Sequence, residues 1–150
     1  MRRRNARQSL INFTEYTYPS YEPSEHHIVL AEKLEAVARG EIDRLMVVMP
    51  PRHGKSELAS KRFPAWYLGS SPSKSIIAAS YNSELAGDFG REVRNIVASR
   101  EYRALFPGVR LAEDSQAANR WLGRSGGTHE WRGRCIRFRV RPAAFGVPIR

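Results

Sequence analysis

Two adjacent prolines, Pro50 and Pro51, constrain the fold of this 150-residue chain more than any other feature. Neither has an N–H to donate and each fixes φ near −65°, so neither a helix nor a sheet ladder can run through them. On their N-terminal side lies Arg44-Leu-Met-Val-Val-Met49, a short run rich in apolar and branched residues that reads as a buried parallel strand. On their C-terminal side Gly54-Lys-Ser56 opens a segment with helical character. That helix is predicted to run into Phe63-Pro-Ala-Trp66, with Pro64 bending it or ending its first part.

Strand, tight loop and helix in that order are what a phosphate-binding loop requires. A loop closing on a helix N-terminus aims several backbone N–H groups at one point, forming a nest for phosphate oxygens. In Met49-Pro-Pro-Arg-His-Gly-Lys-Ser56, Gly54 allows close backbone approach, Lys55 can reach the β- and γ-phosphates, and the Ser56 hydroxyl can ligate Mg²⁺. Arg52 can bridge phosphate oxygens, the alternative being a solvated loop arginine, and His53 contributes its backbone N–H. The match to G-x-x-x-x-G-K-[ST] is imperfect, because Met49 occupies the first glycine position. A bare G-K-S is also compatible with a surface turn, so the flanking strand and helix carry the assignment.

Those flanks extend into a regular alternation. Ser24 is a plausible N-cap for a helix over 25–39, with Ile28, Ala31, Leu34 and Ala38 at helical spacing and Gly40 as terminator. Ser75-Ile-Ile-Ala-Ala-Ser80 reads as a second buried strand. Leu85, Phe89, Val93, Ile96 and Val97 then form the apolar stripe of a helix ending near Ser99. The order predicts an α/β fold, a P-loop NTPase-like parallel sheet with flanking helices. Three regions are expected: a basic arm and extended lead-in over 1–24, a P-loop domain over 25–130, and an arginine-rich tail over 131–150. Ala118–Leu122 and Arg137–Arg141 each read as a short strand.

No apolar run approaches the roughly 20 residues of a membrane-spanning helix, and no signal-peptide core follows the basic start. These features and the single cysteine, Cys135, predict a cytoplasmic protein without a disulfide framework. A net charge of +10 suits a polyanionic partner, although six of the 25 basic residues fall in 131–150, where no acid occurs. His26-His27 reads as the exposed end of a helix. Phe13, Tyr16, Tyr18 and Tyr21 read as packing of the N-terminal segment, the alternative being an adenine ring stacked on one of them, Trp66 and Trp121 as core, and Arg91 and Arg94 as a solvated helix face.

Pro50-Pro-Arg-His-Gly-Lys-Ser56, with Phe63-Pro-Ala-Trp66, Ala79-Ser-Tyr81, Phe89-Gly-Arg-Glu-Val-Arg94, Leu105-Phe-Pro107 and Asn119-Arg-Trp121, resembles the large terminase subunits of tailed phages over about residues 10–128. The resemblance implies that 25–130 is a partial P-loop ATPase domain, the ATP-binding part of a viral DNA-packaging motor in a bacterial host cytoplasm. It implies ATP and Mg²⁺ as cofactors, and double-stranded DNA, a terminase small subunit and a portal protein as partners. Lys55 and Arg52 would act on the phosphates and Ser56 on Mg²⁺. No residue here aligns securely with the family's adenine-contacting motif. The family pattern continues with a glycine-rich stretch, an apolar strand ending in paired Asp residues, and a nuclease domain. This sequence has no acid after Glu130. Its tail is therefore expected to be truncated or frameshifted, and hydrolysis weak; were it robust, Asp88, Glu113 and Asp114 would be the first candidate acids. The alternatives are another P-loop NTPase, kinase or helicase-like, and a non-enzymatic basic nucleic-acid-binding protein.

Overall fold

The computed structural model describes residues 2–80, 82–117, 120–125 and 134–142, with side chains described for 2–80, 82 and 84–111. Helix α1 (Arg2–Gln8) and α2 (Leu10–Thr17) precede α3 (Glu25–Arg39). A π-helical segment (Ser56–Arg62) runs directly into α4 (Phe63–Ser70), followed by β1 (Ile76–Ser80), α5 (Ser83–Ala98) and α6 (Arg100–Leu105). Strands β2 (Val109–Ala117), β3 (Arg120–Ser125) and β4 (Arg134–Pro142) complete the order.

Residues 1–24, read from sequence as a basic arm and extended lead-in, instead carry two helices whose apolar side is inserted in the core. Ala6, Leu10 and Phe13 are fully buried. Phe13 meets Tyr102 edge-on at 6.1 Å between ring centroids, and Phe106 closes the aromatic group at 5.1 Å from Tyr102. Polar groups fix the same packing. The Leu10 amide donates to the Glu35 carboxylate of α3 at 2.6 Å, and Trp66 Nε1 donates to the Arg7 carbonyl at 3.1 Å. Trp66 is core, as expected; Trp121 lies beyond the described side chains.

Helix α3 spans the predicted residues and ends at Gly40, whose φ of 77° is the left-handed conformation that a helix-terminating glycine adopts. Its buried face is His27, Leu30, Ala31, Leu34 and Ala36, so the expected stripe is rotated: Ile28 is 43% exposed. In α5 the stripe holds, with Val93, Ile96 and Val97 buried and Asn82 capping the helix through Glu84 N–H at 2.8 Å.

The parallel-sheet P-loop fold is not what forms. The described chain is predominantly helical, and the run 44–49 that was to be its phosphate-loop strand is not in a strand. Leu45, Val47 and Met49 pack against the core, whereas Met46 and Val48 are 88% and 86% exposed. The residues alternate as a strand does, but no described strand pairs with them, and apolar sequence alone cannot make a sheet. The strands that do pair are ordered β1-β4-β3-β2, with only β1 and β4 parallel and the rest antiparallel. Ile76 registers with Phe138, placing Arg137–Arg141 within β4. The expected strand at 118–122 is seen only as β3 from Arg120, since residues 118 and 119 lie outside the described part, as do Tyr81 and most of the tail.

Candidate functional site

The loop 50–56 follows the unpaired run 44–49 and delivers the chain into the π-helical segment. Two of its residues have positive φ: Arg52 at 64° and Gly54 at 74°. Lys55 is already right-handed helical, with φ −50° and ψ −51°. Opposite-handed backbone at successive residues makes a concavity of N–H groups suited to anionic oxygen. Arg52, His53, Lys55 and Ser56 are exposed, and Gly54 is half-buried.

Internal hydrogen bonds set the shape of the loop. Because a carbonyl only accepts, His53 Nδ1 is the donor in its 2.8 Å contact with the Pro51 carbonyl. The Leu58 amide donates to the Gly54 carbonyl at 3.1 Å, the first helical bond after the loop. The following turn widens: the Phe63 amide reaches back five residues to the Leu58 carbonyl, just before Pro64, which has no N–H. Pro64 therefore sits at a change of helical pitch and does not end the run, which continues to Ser70.

One side of the loop rests on α3. His27 is buried, and its Nε2 lies 3.0 Å from the His53 carbonyl and 3.1 Å from His26 Nε2. A Cβ on Gly54 would stand 2.3 Å from that same His27 nitrogen. Glycine is thus required here by its positive φ and by an imidazole, beyond the phosphate approach read from sequence. The reading of His26-His27 as an exposed helix end holds for His26 alone. Sequence reasoning missed His27, and the available signal was its place three residues after the Ser24 cap, where a side chain reaches back to the cap amide.

Behind the loop, Glu57 bonds Lys61 at 3.0 Å and Arg62 at 2.8 Å. Burial pushes the Glu57 carboxyl upward, yet hydrogen bonds from Lys61 and Arg62, with their charges, outweigh it and hold the group below its ordinary value. Arg62 also lies 5.0 Å from the centre of the Tyr18 ring and donates to Thr17 Oγ1 at 3.1 Å. Tyr21 stands 5.5 Å from His27 between ring centroids. Burial first, and then the negative charge of Glu57, raise the Tyr21 hydroxyl above its ordinary value. Among the described residues its buried oxygen has no hydrogen-bond partner.

Of the remaining candidates, Asp88 is exposed and paired with Arg91 on α5 at 2.9 Å. Glu113 and Asp114 fall in β2, outside the described side chains. Among the described residues no group of three or more His, Cys, Asp or Glu is placed to hold a metal ion. No helix among them is long and apolar enough to cross a membrane. Comparison with protein families, curated proteins and solved structures finds no match.

Proposed function

We propose that this chain binds the phosphates of an Mg²⁺–ATP complex through residues 52–56, as the nucleotide-binding part of a DNA-packaging motor of the terminase type. The reading rests on the loop and not on the sheet. Its main support is the exposure of Lys55 on the first helical residue after two positive-φ positions, with Arg52 and Ser56 exposed in the same short segment. The Lys55 ammonium offsets phosphate charge that backbone donors cannot neutralise, and the Arg52 guanidinium offers a second, fork-shaped donor. Mg²⁺ suits such a site because it keeps most of its waters and takes phosphate oxygens as ligands, leaving the Ser56 hydroxyl as the protein's contribution. Double-stranded DNA as the translocated substrate rests on the family resemblance, because six of the ten net positive charges lie in residues 131–150. The small subunit and portal protein enter through the family resemblance.

The test is calorimetric titration of the full chain with MgATP. Lys55→Ala is expected to abolish measurable binding, and equal affinity in the two proteins would remove the phosphate-loop assignment.

A further inference from the structure

The loop is held from one side by a single buried histidine whose two ring nitrogens are both engaged. The Ser24 amide lies 3.1 Å from His27 Nδ1, and an amide N–H can only donate. Nδ1 is therefore an unprotonated acceptor, and the neutral ring carries its hydrogen on Nε2. That nitrogen faces the His53 carbonyl at 3.0 Å and His26 Nε2 at 3.1 Å, so one Nε2–H serves both acceptors. The α3 cap thus selects the tautomer that the loop needs.

We infer that His27 is a positioning residue of the phosphate loop, fixing the His53–Gly54 peptide through its Nε2–H while Ser24 fixes its ring. This inference rests on the phosphate-binding reading of residues 52–56. In a planar trans peptide the C=O and N–H point in opposite directions. Holding the His53 carbonyl toward α3 therefore turns the Gly54 N–H away from α3, ready for an oxygen ligand on the loop's other side. Gly54 completes the arrangement, because any side chain there would occupy the position of the imidazole. His27 touches no ligand in this scheme and acts only by orienting a donor.

The two functions of the ring can be separated by substitution. Glutamate at this helix position accepts from the cap amide but donates nothing; glutamine does both; alanine does neither. With MgATP as probe, His27→Ala in the full chain is expected to weaken binding about tenfold, the scale of one lost hydrogen bond. His27→Gln should recover most of that loss. His27→Glu should recover the thermal midpoint lost in His27→Ala without recovering affinity. Independently of nucleotide, ¹⁵N spectra of the wild-type histidine rings should show His27 with hydrogen on Nε2 and none on Nδ1. Hydrogen on Nδ1 would overturn the inference, as would wild-type MgATP affinity in His27→Ala while Lys55→Ala has lost it. Binding indifferent to Lys55→Ala would instead remove the nucleotide reading, and the ring spectra, recorded without nucleotide, tell that failure from a failure of the histidine arrangement.

Discussion

Arg52 has a φ of 64°, a region where a side chain other than glycine's costs about 1–2 kcal/mol. Arg52→Gly should relieve that cost, raising stability in denaturant titration by up to about 1 kcal/mol while weakening MgATP binding. A loss of stability would mean that the guanidinium is a structural tie and not a ligand group. Gly69 carries the opposite lesson, since a Cβ there would come within 2.4 Å of the Phe106 ring. Gly69→Ala should destabilise the chain by about 1–3 kcal/mol, measured the same way. At this scale the sequence was legible where residue type implies backbone shape: Gly40 ends its helix and the Gly54 region turns as read. It was silent on His27, because the pair His26-His27 gives no sign of which ring turns inward. That depends on Tyr21, His53 and Gly54 arriving from other parts of the chain.

Helices α3 and α5 were predictable from periodicity, which reports the burial of one face. The π-helical segment was not, because it leads into a proline with no N–H to donate and packs against α2 and α5, and periodicity reports neither. Inside that segment Glu57 joins Lys61 and Arg62, and its carboxyl lies below the ordinary value of 4.5. A depressed acid contributes stability that is present above its unfolded value and lost as pH falls through the folded one. Wild-type thermal stability should therefore decline as pH falls below about 4.5, and Glu57→Gln should flatten that decline while costing on the order of 1 kcal/mol at neutral pH. An identical acid profile in both proteins would assign the acid sensitivity to other carboxylates. The run 44–49 failed as a strand for an element-scale reason: its alternation was readable, but the presence of a neighbour to accept its hydrogen bonds is not written in the run itself.

At the scale of the molecule, Met46, Val48 and Ile77 form the most exposed apolar side chains of the described residues, at 88%, 86% and 68%. Exposed apolar residues on an unpaired extended segment favour association between copies. Replacing Met46 and Val48 together by lysine should reduce self-association in sedimentation or light scattering, with little change in thermal midpoint. Unchanged association would place the contact elsewhere. The packing of α1 and α2 against Tyr102 and Phe106 has a further consequence, in the order of synthesis. Leu10 and Phe13 leave the ribosome well before the aromatic residues that cover Phe13, which are translated roughly ninety residues later, a wait on the order of ten seconds at ordinary elongation rates. During that interval the N-terminal helices have their apolar side uncovered, so the nascent chain offers a chaperone a binding segment that disappears once residue 106 has emerged.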